Sequence, residues 1–404
     1  MEGGGICGIE DRINGDVVRE VMGRVDGMAL ASLACTSSHL RRLAQQQCLW
    51  EKLCHSTWPS TSLQEAQHLI NSASFPGGFY KFYAQAFPFI SSNDHHHHRQ
   101  PDSTCQSQTE VETTSSLSDI VSLVDVYYKS QCILSRMQDG LIQPNDDVVD
   151  MAEQQLLYYG RDGMTADERD LDWFQNSPFK LELLDLKDAA AHFRNPTSAD
   201  PMGNNIVGKG GGGGGQDGWC TEFAEDFRLS WIVLDKKAGK AVNLSSWKPL
   251  VVHKITSPPP HYNNHYGEGI YEMQFGCVIP SPKESSTALP PCHLAKCIIV
   301  ARFKMSTGTR HNWLQWKEIN MTIESLTHFQ VNGRTGLMIL NQALLCTSRT
   351  TNQAKVEKGL QLYEKTKREK IRKWMLRDAV ANTLDIFIEI TILLILFYAF
   401  PSLL

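Results

Sequence analysis

Residues 13–59 read INGDVVREVMGRVDGMALASLACTSSHLRRLAQQQCLWEKLCHSTWP, and the spacing of their apolar side chains decides the fold class at the N-terminal end. Val17, Val18, Val21, Met22 and Val25 stand at i, i+1, i+4, i+5 and i+8, which is one face of a helix. Leu30, Leu33, Leu40 and Leu43 continue the apolar stripe, and Trp50 and Leu53 close it. Short amphipathic helices in so small a segment bury little area by themselves, so many of these side chains are expected to serve a partner.

Downstream the period changes. From 91 to 118 the composition falls to Ser, Thr, Gln, Asp and His, as in a linker. IVSLVDVYYKSQCILSRM (120–137) then alternates and is rich in Val, Ile and Tyr, as strands are. Further strand candidates are WFQNSPFKLELLDLKD (173–188), FRLSWIVLD (227–235), KAVNL (240–244), KPLVVHKI (248–255), IYEMQFGCVI (270–279), KCIIVARFK (296–304) and TIESLTHFQV (322–331). Pro258 to Pro260, Pro290, Pro291, Gly333 and Gly336 fall between strands and read as loops. Many short strands with turn signals predict an antiparallel sandwich or barrel.

The tail changes character again. Lys365, Lys367, Arg368, Lys370, Arg372, Lys373 and Arg377 make a basic stretch in helix-compatible sequence, and 385–404 is almost wholly apolar. Twenty helical residues span about 30 Å, the thickness of a bilayer's hydrocarbon core. The expectation is a membrane anchor buried through Ile390, Leu393, Leu394, Leu396 and Phe397, with Lys367, Arg368, Lys370, Arg372 and Lys373 as a collar on the cytosolic face. Asp385 and Glu389 lie one helical turn apart near its start. The localisation expected is single-pass, with a cytosolic N-terminal bulk at the endoplasmic reticulum or nuclear envelope. KTKREKIRK (365–373) offers nuclear import as the alternative.

The expected fold class is α+β: a short N-terminal helical unit, a β-rich sandwich- or barrel-like domain, and a membrane-spanning C-terminal helix. The divisions are 1–12 tail, 13–59 helical module, 60–90 helical connector, 91–118 linker, 119–350 β-rich domain with insertions at 139–172 and 196–218, 351–384 basic helix, and 385–404 anchor.

Composition excludes several functions. The 404 residues carry 39 basic and 44 acidic side chains, a net charge of -5, which argues against a bulk nucleic-acid binder. With 42% hydrophobic and 21% charged residues the chain is neither wholly disordered nor collagen-like. The start, MEGGGICGIEDR, has no secretory pattern, and eleven cysteines without paired short spacings read as reduced thiols. Cys292, His293 and Cys297 lack a second zinc-ligand pair. Gly203-x-x-x-x-Gly208-Lys209 has Gly210 where a phosphate loop needs Ser or Thr, and His95 to His98 sit in low-complexity sequence. Trp219, Trp231, Trp247, Trp313 and Trp316 read as core or as a recognition patch. No nucleophile–base pair or HExxH pair is recognisable, so no enzyme, cofactor or metal is expected.

Ile13-Asn14-Gly15-Asp16-Val17-Val18, Val21-Met22-x-Arg24-Val25, Leu30-x-x-Leu33-Ala34-Cys35, Leu40, Leu43 and Trp50-x-x-Leu53 together resemble an F-box, the adaptor-binding module of substrate receptors in cullin-based ubiquitin ligases. Asn14 departs from the proline usual there. Leu53 to Ser60, VDVYYK (124–129), WFQNSPFKLELLDLKD and LSWIVLDKKAGKAVNLSSWKP (229–249) resemble the plant F-box group that includes the cytokinin-induced F-box protein, whose members can carry a hydrophobic C-terminus. The resemblance implies a non-catalytic receptor. Ile13, Val17, Val18, Val21, Met22, Val25, Leu30, Leu33 and Leu40 would meet a Skp-type adaptor, and through it cullin and RING subunits. The β-rich half would choose an unnamed target protein. The alternative is a membrane-tethered binding module, lectin-like or lipid-sensing, with no part in ubiquitin transfer.

Overall fold

A computed structural model of the chain describes residues 15–90, 117–140, 176–184, 224–255, 270–281, 294–307, 312–326 and 330–399. Ile13, His95 to His98, Gly203 to Gly210, Cys292, His293 and most of both expected insertions lie outside these.

The N-terminal region is helical: α1 (Gly15–Met22), α2 (Gly27–Thr36), α3 (Ser38–Ala44), α4 (Gln47–Thr57), a 3₁₀ turn at Pro59–Ser62, α5 (Gln64–Ile70) and α6 (Gly78–Ala86). Local chemistry sets the breaks. Asp26 caps α2 by accepting from the Ala29 N–H at 2.7 Å, and Ser37 ends α2 and caps α3 through the Leu40 N–H at 3.2 Å. Leu30, Trp50, Trp58, Phe79 and Phe82 are buried at the centre of this unit.

Among the described residues eleven strands follow: β1 (Phe89–Ile90), β2 (Ile120–Tyr128), β3 (Gln131–Asp139), β4 (Lys180–Leu184), β5 (Phe227–Asp235), β6 (Lys240–Asn243), β7 (Val251–Ile255), β8 (Ile270–Pro280), β9 (Leu294–Thr307), β10 (Asn312–Ser325) and β11 (Arg349–Thr350). They form a four-stranded sheet in the order β3-β2-β5-β6, a five-stranded sheet β4-β10-β9-β8-β7, and the small pair β1-β11. Every pairing is antiparallel.

The two large sheets face one another. Val124, Val126, Leu229, Trp231 and Val233 from one meet Phe275, Ile299, Phe303, Trp316 and Met321 from the other in a single buried cluster. The opposite face of the four-stranded sheet is also covered. Val121, Leu123, Ile232, Leu234 and Ala241 join the helical core around Trp58 and Phe82. This explains why β2 is buried at all nine positions and reads IVSLVDVYY, nearly without polar interruption. The helical unit therefore shares a wall with the sandwich.

Two further helices follow among the described residues. Helix α7 (Gly333–Leu345) buries Leu337, Ile339, Leu340 and Leu344 against the sandwich interior. Gly336 lets it approach Phe179, whose ring lies 2.2 Å from where a Cβ would stand. Helix α8 (Gln353–Ala399) is continuous. Its root lays Val356, Leu360 and Tyr363 on Val278, Leu294 and Leu326. Two ion pairs fix it there, Lys367–Glu324 and Lys296–Glu364, both 2.6 Å. From Arg372 to Ile392 every residue is exposed, so the helix leaves the body.

The structure corrects the expected anchor. Among the described residues no helix is long and apolar enough to cross a membrane, which overturns the transmembrane helix and the single-pass membrane localisation. Asp385 and Glu389 interrupt the apolar sequence, and from Ile390 the described helix covers ten residues, to Ala399. Ten residues of helix rise about 15 Å, half of a hydrocarbon core. Ile390 is exposed on this helix; Leu393, Leu394, Leu396 and Phe397 lie on it with side chains outside the described set. Of the collar, Lys367 is tied to Glu324 and stands 6.0 Å over the Tyr363 ring, while Arg368, Lys370, Arg372 and Lys373 are exposed.

Candidate partner-binding face

On α1 the apolar stripe is two residues wide, and the fold divides it. Val18 turns to the helical core and Met22 is 2% exposed. Val17 and Val21, one position earlier in each case, are 57% and 56% exposed. They are i and i+4 on one outer face. Leu30 is also interior, at 1% exposure, and Val25, Leu33 and Leu40 lie half-buried against the core. Met28 adds a third large apolar side chain to the surface, 54% exposed. Sequence reasoning misses Met28; the register set by the Asp26 cap, which turns Leu30 inward, is the signal that finds it.

Polar groups surround the outer row. Arg24 bonds Glu20 one turn back at 2.9 Å, and that guanidinium holds the Glu20 carboxyl below its ordinary range. Arg19 Nε donates to Gln46 Oε1 at 2.8 Å, fixing α1 against the start of α4. Arg41 Nε donates to the Ala34 carbonyl at 3.0 Å and braces the α2–α3 corner. An apolar centre with a charged rim is the usual anatomy of a protein-binding patch.

Behind this face the helical unit is fastened to the four-stranded sheet. Asp125, on β2, is fully buried. Its carboxylate accepts from the Ser60 N–H at 2.9 Å, the Ser60 hydroxyl at 2.6 Å and the Ser135 hydroxyl at 2.7 Å. Burial pushes its pKa up from 3.8 to about 6, with those three hydrogen bonds opposing the rise. The Tyr127 hydroxyl donates to the Thr57 carbonyl, and Gln85 Oε1 accepts from the Ala241 N–H at 2.8 Å. Gly239, at φ +56, turns the β5–β6 hairpin so closely onto the loop before α6 that a Cβ would stand 2.0 Å from the Ser74 carbonyl oxygen.

The outer face of the five-stranded sheet carries a row of charges. His253, Glu272, Arg302 and Glu318 are successive register partners on β7, β8, β9 and β10. Arg302 Nε meets Glu272 at 2.7 Å and its other nitrogen meets Glu318, which also takes Lys180 at 3.2 Å. Glu272 and Glu318 are 7% and 6% exposed. Trp231 and Trp316 are core, whereas Trp247 is held at φ +67 with its ring 5.4 Å from Tyr127. Among the described residues no group of three or more His, Cys, Asp or Glu could hold a metal ion.

Comparison with known proteins points to one kind of protein. The chain is 25% identical over 372 residues to F-box protein At2g27310 of Arabidopsis thaliana, covering 90% of this chain and 89% of that one. It is 24% identical over 333 residues to Probable F-box protein At2g36090, and 25% identical over 343 residues to F-box protein At3g44326, both of the same plant. These cover 82% and 84% of this chain, and 74% and 75% of the relatives. No family model matches the chain, and no solved structure does.

Proposed function

We propose that this chain is a plant F-box protein serving as the substrate receptor of a Skp-cullin-F-box ubiquitin ligase. The observation that carries the reading is the divided apolar stripe of α1 and α2: Met22 and Leu30 complete the core, yet Val17, Val21 and Met28 are left apolar and exposed beside charged residues. The similarity to proteins named F-box proteins, spread over most of the chain, supports it. A Skp-type adaptor would cover Val17 and Val21 and bring cullin and RING subunits with it. The sandwich would present the target protein.

The mechanism is proximity. A receptor does no chemistry; it holds a target near a charged conjugating enzyme and raises the effective concentration of one for the other. That gain depends on a stiff spacer, and the wall shared between helices and sandwich supplies one. The resemblance of the blocks at 124–129 and 229–249 to the cytokinin-induced F-box group belongs to this proposal as its narrower part.

The test is binding of a purified Skp-type adaptor to the full chain and to Val17→Asp/Val21→Asp. Both side chains are exposed, so the variant is expected to melt with the wild type and to lose about 100-fold or more in affinity. Equal binding by the two proteins overturns the reading.

A further inference from the structure

From Arg372 to Ile392 every residue of helix α8 is exposed, with no described residue of the body packed on it, and the order of its residues in that stretch is not random. Leu376, Val380, Thr383, Phe387 and Ile390 follow one another at spacings of 4, 3, 4 and 3. That is the repeat of a helix made to meet another helix along a seam. Leu376, Val380, Phe387 and Ile390 are 58%, 64%, 71% and 49% exposed. A second row runs Asp378, Asn382, Asp385, Glu389, at i, i+4, i+7 and i+11. It is the only row of this segment made wholly of polar side chains, and it occupies the outward positions of the same repeat. Leu384 and Ile386, 60% and 55% exposed, flank the seam and widen it; an apolar face with a polar row behind it is how one helix of a bundle is written.

The seam is also correctly aimed. At about 100° per residue, Val380 and Phe387 lie roughly opposite Leu360, the centre of the face that docks on Val278 and Leu294. The root of α8 fixes its rotation through Lys367–Glu324 and Lys296–Glu364, so the seam points away from the body. Two bodies joined along it would lie on opposite sides and would not collide.

We propose that α8 pairs along this seam with the α8 of a second copy of the chain. The partner that a 4-3-4-3 seam fits is a helix with the same repeat, and α8 itself is one. The size is adequate as well. With on the order of 100 Å² exposed by each of the five seam side chains, two copies bring about 1,000 Å² together, the size of a weak dimer, since stable interfaces begin at about 1,200 Å². This pairing is independent of adaptor binding, because Val17 and Val21 belong to the other end of the architecture.

The experiment is sedimentation velocity on the full chain over about 1–50 μM, a range set around the affinity of a small interface. The wild type is expected to sediment as a dimer in the upper part of that range. Val380→Glu/Phe387→Glu is expected to sediment as a monomer throughout, with unchanged thermal unfolding because neither side chain touches the body. Leu376→Glu alone should weaken the dimer at least tenfold, and Asp385→Ala, in the outward row, should leave it intact. A monomeric wild type at the highest concentration overturns the proposal. So does a dimer that survives Val380→Glu/Phe387→Glu, or one that Asp385→Ala dissociates. A wild type that stays monomeric but co-sediments with anionic phospholipid vesicles, with Phe387→Glu abolishing this, overturns it in favour of a lipid surface.

Discussion

Asp125→Ala should separate the helical unit from the sandwich more effectively than the loss of any apolar contact between them. The carboxylate is fully buried and accepts three hydrogen bonds, two from Ser60 and one from Ser135. Alanine leaves the Ser60 N–H with no acceptor and no freedom to turn, at about 1–3 kcal/mol, and two hydroxyls that recover part of their bonding by rotating. The sum is about 3–4 kcal/mol, which for a chain of this size lowers the melting temperature by roughly 4 °C. Asp125→Asn behaves differently, and pH exposes the difference. The carboxyl's pKa is raised on folding from 3.8 to about 6, so the folded state holds an extra proton between those values. Its stabilising effect is complete below pH 3.8 and is lost as pH rises through about 6, amounting to about 3 kcal/mol. An amide at this position does not titrate. Urea unfolding from about pH 4 to 7.5 should therefore show the Asp125→Asn protein gaining about 2.4 kcal/mol on the wild type as pH rises. Parallel pH profiles, or an Asp125→Ala protein melting within about 2 °C of wild type, would refute the account of this joint.

Other consequences are open to measurement. Gly239→Ala places a Cβ against the Ser74 carbonyl at a positive φ; the hairpin must lift from the helical unit, and a loss of about 3 kcal/mol is expected in denaturant melts. Arg302→Ala leaves Glu272 and Glu318 buried without the cation between them. A loss of about 3 kcal/mol is expected, little changed by added salt, since buried pairs are weakly screened. Leu30→Ala should cost about 2–5 kcal/mol in stability, whereas Val17→Ala should cost under about 0.5 kcal/mol while weakening adaptor binding.

Much of this structure is legible in the sequence, for reasons that also mark where reading stops. β5 spans the FRLSWIVLD run, and β8 and β9 extend their apolar runs by one to three residues at an end, because strands buried on one or both faces need apolar runs of that kind. The stretch at 120–137 reads as one alternating segment but is a hairpin. Its turn uses Lys129 and Ser130 at φ 48 and 65, which carry none of the Asn-Gly or Asp-Gly signal of such turns. Gly333 and Gly336 suggest a loop, yet Asn332 caps a helix there, and tertiary contact with Phe179 outweighs the glycines' low propensity. Most of β10, from Asn312 to Met321, is missed because Gln315, Lys317 and Glu318 break the apolar pattern, and a bulge between Trp316 and Glu318 shifts its register. At the candidate site the stripe of α1 is visible, but which of two adjacent rows faces a partner depends on how the helix is rolled against α3 and α4. The anchor expectation fails on a related point. Asp385 and Glu389 are visible in the sequence, and with Asp378 and Asn382 they form one polar row along the helix; among the described residues no helix is long and apolar enough to cross a membrane.

The shared wall also limits how the molecule can be taken apart. The proposed receptor role invites removal of the first sixty or so residues, in the hope of a target-binding half that holds its target without passing it on. Here that cut would uncover Val121, Leu123, Ile232, Leu234 and Ala241 together on one sheet, and leave Asp125 without Ser60. The remainder would be a sandwich with an apolar flank open to water, prone to aggregate and to be destroyed. Loss of function in such a truncated chain would report misfolding as much as lost adaptor binding. Point changes at Val17 and Val21 leave the wall covered and separate the two effects.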